Sequence, residues 1–215
     1  MMDWLINLDR ELFLFLNGLH VDWLDYVMVF ISSTAGWIPF YAILLALVVW
    51  KYKKNSVWVI LCIALLVTCS DQISAHVFKP IFQRPRPCHD EVIQELVYLP
   101  RGHCGGAYGF ISSHACNVFA VAIFVAHVLR QYFSKIGWIM FPWAAVVAYS
   151  RIYMGVHFPG DVLAGAAVGL VIGFLIGKLL DYVLKKLAAS QKTCTACEKS
   201  CRSPLPRRIR ERQTR

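Results

Sequence analysis

Long apolar runs, most of them closed by basic residues, constrain this chain more than any other feature. A helix needs about 20 mostly apolar residues to cross a lipid bilayer. Five runs are candidate spans, of which several approach or exceed that length and 136–149 is on the short side: 36–50, 56–78, 114–132, 136–149 and 161–184. Hydrophobic residues make up 58% of the chain and charged residues only 16%, which is too apolar for an ordinary soluble domain. The sequence therefore predicts an all-α, polytopic membrane helical bundle of about five transmembrane helices.

Two shorter apolar segments precede these runs. Residues 3–17 have apolar side chains at helical spacing with three charged residues between them, a pattern typical of a helix lying in the membrane interface. Residues 21–33 are a second short segment, either half-inserted or packed on the bundle. We expect three units: interfacial or half-inserted N-terminal helices over 1–34, a membrane domain over 35–187, and a basic, disordered tail over 188–215.

The basic residues are unevenly distributed along the chain. From Lys185 to Arg215 there are ten Lys and Arg against two Glu. Five spans place this tail on the same side as the basic loops 51–54 and 130–135, and the positive-inside rule assigns that side to the cytosol. We interpret the tail as a solvated, disordered end, with attraction to anionic membrane lipid headgroups as the alternative. The tail lacks interleaved aromatic residues, which argues against nucleic-acid binding.

The eight cysteines fall into distinct settings. Cys88 and Cys104 share one polar loop, and we hypothesise that they pair if that loop faces an oxidising compartment. Cys194, Cys197 and Cys201 form a C-x2-C-x3-C pattern in the tail. A structural zinc site normally has four ligands, so this pattern does not predict a metal site.

Three clusters of polar residues lie where the topology brings the outer loops together. They are Lys79 with Arg86, the run Ser112-Ser113-His114, and Arg151 with His157 and Asp161. Charged groups at the edge of membrane helices are costly and usually functional. Lys and Arg side chains and helix N-termini all favour phosphate. Taken singly, the clusters also fit snorkelling, helix capping and a polar loop, but those readings do not explain why all three share one side.

His157 and Asp161 are four residues apart, so one helical turn can bring them together. A carboxylate on one imidazole nitrogen fixes the tautomer and leaves the other nitrogen nucleophilic. His114 could donate a proton to a leaving oxygen. The clusters therefore predict a site that handles phosphate esters.

The order Lys79-x6-Arg86-Pro87, Ser112-Ser113-His114, Ser150-Arg151-x5-His157-x3-Asp161 resembles the three-part signature of the type 2 phosphatidic acid phosphatase (PAP2) superfamily. The signature and its helices cover roughly 56–184. One position departs from the family pattern, because Ser113 stands where the second motif usually has glycine. Three ordered motifs at matching spacing make the resemblance specific.

The resemblance implies a mechanism without metal or cofactor. His157 would attack phosphorus and form a phosphohistidine, Asp161 would orient it, and His114 would protonate the leaving oxygen. The groups expected to hold the phosphate oxygens are Lys79, Arg86, Ser112, Arg151 and the backbone N–H of Ser113. The site would face the periplasm or exterior from the inner (plasma) membrane.

Several functions remain open from the sequence. The favoured one is a membrane phosphatase acting on lipid A phosphate, undecaprenyl pyrophosphate, phosphatidylglycerol phosphate or phosphatidate. A transporter or scaffold that kept the fold is the main alternative, although His114, His157 and Asp161 are all present. A vanadate-dependent haloperoxidase would have a similar site, but those enzymes are usually soluble and the apolar runs argue against it.

Overall fold

The computed structural model describes residues 2–201, with side chains described for 3–190. Within that range the chain forms eight α-helices: α1 (Met2–Asn17), α2 (Asp22–Ser32), α3 (Ile38–Tyr52), α4 (Ser56–Gln72), α5 (Lys79–Phe82), α6 (Ser113–Leu129), α7 (Gly137–Tyr153) and α8 (Pro159–Cys201). A π-helix, Ile73–Phe78, joins α4 to α5. The prediction of an all-α membrane bundle is confirmed.

The five predicted spans correspond to α3, α4, α6, α7 and α8. By length and composition, Ala35–Phe82 and Pro159–Ser190 can cross a membrane, and the bent pair of α1 and α2 could form a third span. The first stretch is 48 residues long, about twice what one crossing needs. It breaks at Lys53, whose φ of +50° separates α3 from α4. The helices α6 and α7 have 17 residues each, at the short limit for a span.

The helix α6 is the centre of the bundle and packs against α4, α7 and α8. Its buried residues include Cys116, Phe124 and Leu129, which join one large apolar core. Against it, α8 presents glycines at a four-residue period: Gly165, Gly169, Gly173 and Gly177. A Cβ added at Gly169 would lie 2.1 Å from the carbonyl oxygen of Cys116, so the two backbones are in direct contact. This close approach fixes the start of α8 against the start of α6.

The N-terminal helices pack on the end of the bundle where α8 begins. The axes of α1 and α2 meet at 115°. Phe13 of α1 is fully buried and packs edge-on against Phe158, with ring centroids 5.4 Å apart. Trp4, Leu5 and Phe15 of the same helix remain exposed. The helix α1 therefore covers one end of the bundle and leaves an apolar face exposed.

The two basic loops meet at the opposite end of the bundle. The hydroxyl of Tyr52 donates to the carbonyl of Val128 at 2.9 Å and accepts from Gln131 at 2.8 Å. The ammonium group of Lys51 lies 5.4 Å from the centre of the Tyr132 ring. Loops 51–54 and 130–135 therefore lie side by side at this end of the bundle.

Two boundaries differ from the sequence prediction. The predicted run ends at residue 78, but Lys79 is also helical, because the helix continues to Phe82 and ends at Gln83, whose φ is +45°. The helix α8 continues to Cys201 rather than ending near residue 184, since neither glycine nor proline interrupts 178–203. It takes in the first part of the expected tail. Residues 202–215 and the side chains of Cys194, Cys197 and Cys201 lie outside the described residues.

Candidate active site

The three polar clusters converge at one end of the bundle. Lys79 lies in α5, Ser112 to His114 start α6, and Arg151 lies in the last turn of α7. His157 lies in the loop before α8, and Asp161 in the first turn of that helix. Gly155 permits the turn into this loop: its φ is +72° and an added Cβ would lie 2.6 Å from the carbonyl oxygen of Tyr98.

The loop that carries Arg86 folds back over the site. Arg86 donates a backbone hydrogen bond to the carbonyl of Ala107 at 3.1 Å, and its guanidinium donates to the carbonyl oxygens of Cys104 (3.2 Å) and Tyr108 (3.3 Å). Cys88 and Cys104 form a disulfide across this loop, with their Cα atoms 6.1 Å apart. The hypothesised pair is therefore formed in the structure, and it closes residues 88–104 directly after Arg86.

His157 and Asp161 lie together in a buried setting. Nδ1 of His157 is 3.6 Å from Oδ2 of Asp161, longer than a hydrogen bond, and is buried without a hydrogen-bond partner among the described residues. Burial lowers the pKa of His157 to about 4, against the opposing effect of Asp161. The imidazole is therefore neutral at pH 7, which is the state required of a nucleophile.

The two serines before His114 point in different directions. Ser112 is fully buried and caps α6: its Oγ accepts from the backbone N–H of Ala115 at 3.4 Å. Its own N–H donates to the carbonyl of Asp161 at 3.0 Å, which joins the starts of α6 and α8. Ser113 lines the cavity and its Oγ lies 2.8 Å from that of Ser74. Of the two serine side chains, the cavity is lined by that of Ser113.

Three cationic side chains line the same cavity as His114 and His157. They are Lys79, Arg86 and Arg151. Arg151 donates from Nη1 to Oγ of Ser32, and its buried Nε has no hydrogen-bond partner within the described residues. Cations that lie close together repel one another unless an anion lies between them. This arrangement therefore favours binding of a multiply charged anion such as phosphate.

The cavity has a polar end and an apolar end. Its volume is about 780 Å³. Beyond the cations it continues between α3, α4 and α6, where Trp37, Leu44, Ile63 and Val121 are among the lining residues. A space of this form can hold a charged headgroup at one end and an acyl or isoprenoid chain along the helices.

Arg84 is a site residue that the sequence analysis did not identify. Its guanidinium donates to Oδ1 of Asp161 at 2.9 Å and to Oδ2 of Asp9 at 2.7 Å. The repeated Arg-Pro in Arg84-Pro85-Arg86-Pro87 was the available signal, since prolines prevent helix continuation and fix both arginines in an extended loop.

Comparison with known proteins agrees with this geometry. Residues 60–184 match the family model described as the PAP2 superfamily. The chain is 35% identical over 197 residues to a lipid A 4'-phosphatase of Bacteroides thetaiotaomicron, covering 91% of this chain and 85% of that protein. It is 37% identical over 182 residues to a lipid A 4'-phosphatase of Porphyromonas gingivalis, covering 84% and 76%. In fold it resembles a transmembrane PAP2-type phosphatidylglycerolphosphate phosphatase from Bacillus subtilis, with a TM-score of 0.66, 24% identity and coverage of 83% and 87%.

Proposed function

The chain belongs to the PAP2 superfamily and is a membrane-bound lipid phosphatase, and we propose that its substrate is lipid A, from which it hydrolyses a phosphate monoester. The observation that carries this proposal is one cavity that joins a phosphate-type cation cluster to an apolar channel. Two relatives that act on lipid A support the choice among lipids.

The lining of the polar end favours a sugar phosphate over a diphosphate. Besides the three cations, it contains Asp71 and Asn117, with the Asn117 amide donating to Asp71 Oδ1 at 3.3 Å. A carboxylate repels a second phosphate, whereas carboxylate and amide groups both bind sugar hydroxyl and amide groups. The glucosamine units of lipid A present such groups beside the phosphate.

We assign the chemistry as a two-step displacement at phosphorus. The neutral His157 attacks phosphorus, the phosphorus–oxygen bond to the sugar breaks, and His114 gives its proton to the leaving oxygen. Water then attacks the phosphohistidine, the phosphorus–nitrogen bond breaks, and inorganic phosphate leaves. His114 takes a proton from that water, and Asp161 stabilises the charge that develops on the His157 ring.

The phosphate oxygens are held by the cations that line the cavity. The proposed ligands are Lys79, Arg86, Arg151 and the backbone N–H of Ser113 at the start of α6. Ser112 belongs to the site through its cap and its bond to Asp161. These groups together offset charge on phosphate, so the proposed mechanism uses neither metal nor cofactor.

The topology forms part of the proposal. The site end of the bundle faces the periplasm or exterior, and the basic loops and tail face the cytoplasm from the inner membrane. The adjacent loops at the far end of the bundle support this orientation. We keep the division into N-terminal helices (1–34), membrane phosphatase domain (35–187) and basic tail (188–215) as the working description.

Phosphate release from purified protein in detergent tests the proposal. Lipid A, undecaprenyl pyrophosphate, phosphatidylglycerol phosphate and phosphatidate are offered in parallel, with chelator present. We expect release from lipid A to be fastest and to disappear in His157→Ala. The matched control is His127→Ala, whose imidazole pairs with Asp181 at the far end of α6.

Two results would contradict the proposal. Faster release from undecaprenyl pyrophosphate would reject the substrate assignment but keep the phosphatase. No release from any of the lipids, or equal release from His157→Ala, would reject catalysis and favour transport or a scaffold role.

A further inference from the structure

We propose that Arg84 is a positioning residue for the phosphatase reaction, and that Asp9 of α1 holds it in place against Asp161. The inference rests on the proposed function, because it concerns how His157 is kept competent. It assigns the N-terminal helix a part in the active site in addition to its place in the interface.

Two hydrogen bonds fix the Asp161 carboxylate. Its Oδ1 accepts from Nη1 of Arg84 at 2.9 Å, and its Oδ2 accepts from the backbone N–H of Phe158 at 3.0 Å. The side chain has no exposed surface. Two donors on different oxygens prevent rotation of the carboxylate, so Oδ2 stays directed at His157. Arg84 therefore determines which oxygen faces the nucleophile.

Arg84 is itself held in place by Asp9 and by the ring of Phe158. Oδ2 of Asp9 accepts from Nη2 of Arg84 at 2.7 Å, while Oδ1 of Asp9 accepts from the N–H of Gly160 at 2.8 Å. The guanidinium also lies over the ring of Phe158, 4.2 Å from its centre. Asp9 thus connects α1 both to the arginine and to the first turn of α8. Two carboxylates and one aromatic ring therefore hold the Arg84 guanidinium in a single orientation.

Arg84 also supplies the positive charge that the buried Asp161 carboxylate needs. A buried carboxylate needs a nearby cation, because an unpaired buried charge is strongly unfavourable. Besides Asp161, the charged and titratable groups facing His157 are Arg86, Arg151 and His114, all directed at the cavity. Arg84 does not line the cavity, so it remains paired with Asp161 when phosphate binds. It neutralises the carboxylate in place of a protonated His157.

Removing Arg84 therefore has two consequences. The carboxylate gains freedom to rotate, and protonated imidazole becomes the remaining partner for its charge. Misplacement of a supporting group of this kind lowers rates by up to about 100-fold. Since Arg84 lies outside the cavity, the loss falls on kcat, and KM stays close to that of the wild type. The acid limb of the pH–rate profile moves to higher pH.

The test compares Arg84→Gln, Arg84→Lys and Asp9→Asn with a matched control. The control is Arg10→Gln, which breaks the paired bonds from Arg10 to Asp90 (2.8 and 3.0 Å) and so weakens the contact of α1 without touching Asp161. We expect a ten- to 100-fold loss of kcat in Arg84→Gln. We expect partial rescue in Arg84→Lys, a smaller loss in Asp9→Asn, and wild-type activity within twofold in Arg10→Gln.

Other patterns overturn the inference. A rise in KM with unchanged kcat in Arg84→Gln would make Arg84 a phosphate ligand. Equal losses in Arg84→Gln and Arg10→Gln, or an unshifted acid limb, would reduce its role to general stability of the fold.

A second measurement does not depend on turnover. Thermal unfolding of Asp9→Asn, Arg84→Gln and the double variant measures the coupling between Asp9 and Arg84. We expect the effects of these two substitutions on Tm to be non-additive. As a control, the effects of Arg10→Gln and Arg84→Gln on Tm should add. Additive effects for Asp9 and Arg84 would refute the connection. A wild type without activity but with this coupling would reject the proposed function and leave the connection intact.

Discussion

Placing a methyl group at Gly169 tests the contact that joins the two halves of the active site. In Gly169→Ala the new Cβ lies 2.1 Å from the carbonyl oxygen of Cys116 and 2.9 Å from its carbonyl carbon. Both are backbone atoms of α6, so neither can rotate away. Because real Cβ atoms essentially never approach within 3.0 Å, α8 must move by at least 0.9 Å, the difference between 3.0 and 2.1 Å. That movement carries the start of α8 away from the start of α6.

The expected cost follows from two opposing effects. Overpacking a close interface destabilises by about 1–3 kcal/mol, and the unyielding backbone places this site near the upper value. Replacing glycine by alanine inside a helix favours folding by about 1 kcal/mol. The net destabilisation is therefore about 2 kcal/mol. For a chain of this size, that corresponds to a fall in Tm of about 4–8 °C.

The matched control is Gly177→Ala on the same face of α8. There the nearest atom is Cδ2 of His127 at 3.2 Å, which belongs to a side chain that can move. We expect its Tm to equal or exceed that of the wild type. Thermal unfolding of the detergent-solubilised protein measures both variants, with phosphate release measured alongside. If Gly169→Ala is as stable and active as Gly177→Ala, the helices are not in backbone contact and the reasoning fails.

Three further predictions concern the reaction. His114→Ala should lower kcat/KM for a lipid phosphate by at least about 100-fold but spare kcat/KM for p-nitrophenyl phosphate, because kcat/KM reports the step that forms phosphohistidine and this leaving group needs no proton; equal losses of kcat/KM would contradict its role as the acid. Activity needs neutral His157, whose pKa is lowered to about 4. The acid limb of the kcat/KM profile should therefore lie below pH 5, with activity kept above that pKa and lost as the pH falls through it. A limb near pH 6.5 would refute this. Val121→Trp fills the apolar end of the cavity. It should raise KM for long-chain substrates at least about tenfold and leave KM for short-chain substrates unchanged, which kinetics with substrates of the same headgroup and different chain length would measure.

The fold was accessible to sequence reasoning because the bilayer imposes strict lengths and polarity on helices. Five apolar runs sufficed to predict α3, α4, α6, α7 and α8. The polar clusters were accessible for the same reason: His157 and Asp161 stand out between two apolar runs, where such residues need a function. Alternation of the loops across the membrane then placed all three clusters on one side.

The connections between distant segments were not accessible. Asp9 and Arg84 are 75 residues apart, and no local pattern shows that α1 returns to the first turn of α8. The difference between Ser112 and Ser113 was hidden for a related reason. Either hydroxyl could cap α6, and the bond from Ser112 to the backbone of Asp161, which holds the start of α6 against α8, exists only in the folded chain.

In the proposed mechanism His157 carries the phosphate during turnover. Mixing purified protein with lipid A and quenching within milliseconds in alkali, where phosphohistidine survives, allows the modified residue to be located by mass spectrometry. We expect phosphate on His157, its absence in His157→Ala, and a reduced amount in Asp161→Asn. Phosphate on another residue, or steady turnover with no phosphorylated protein at any time, would contradict it.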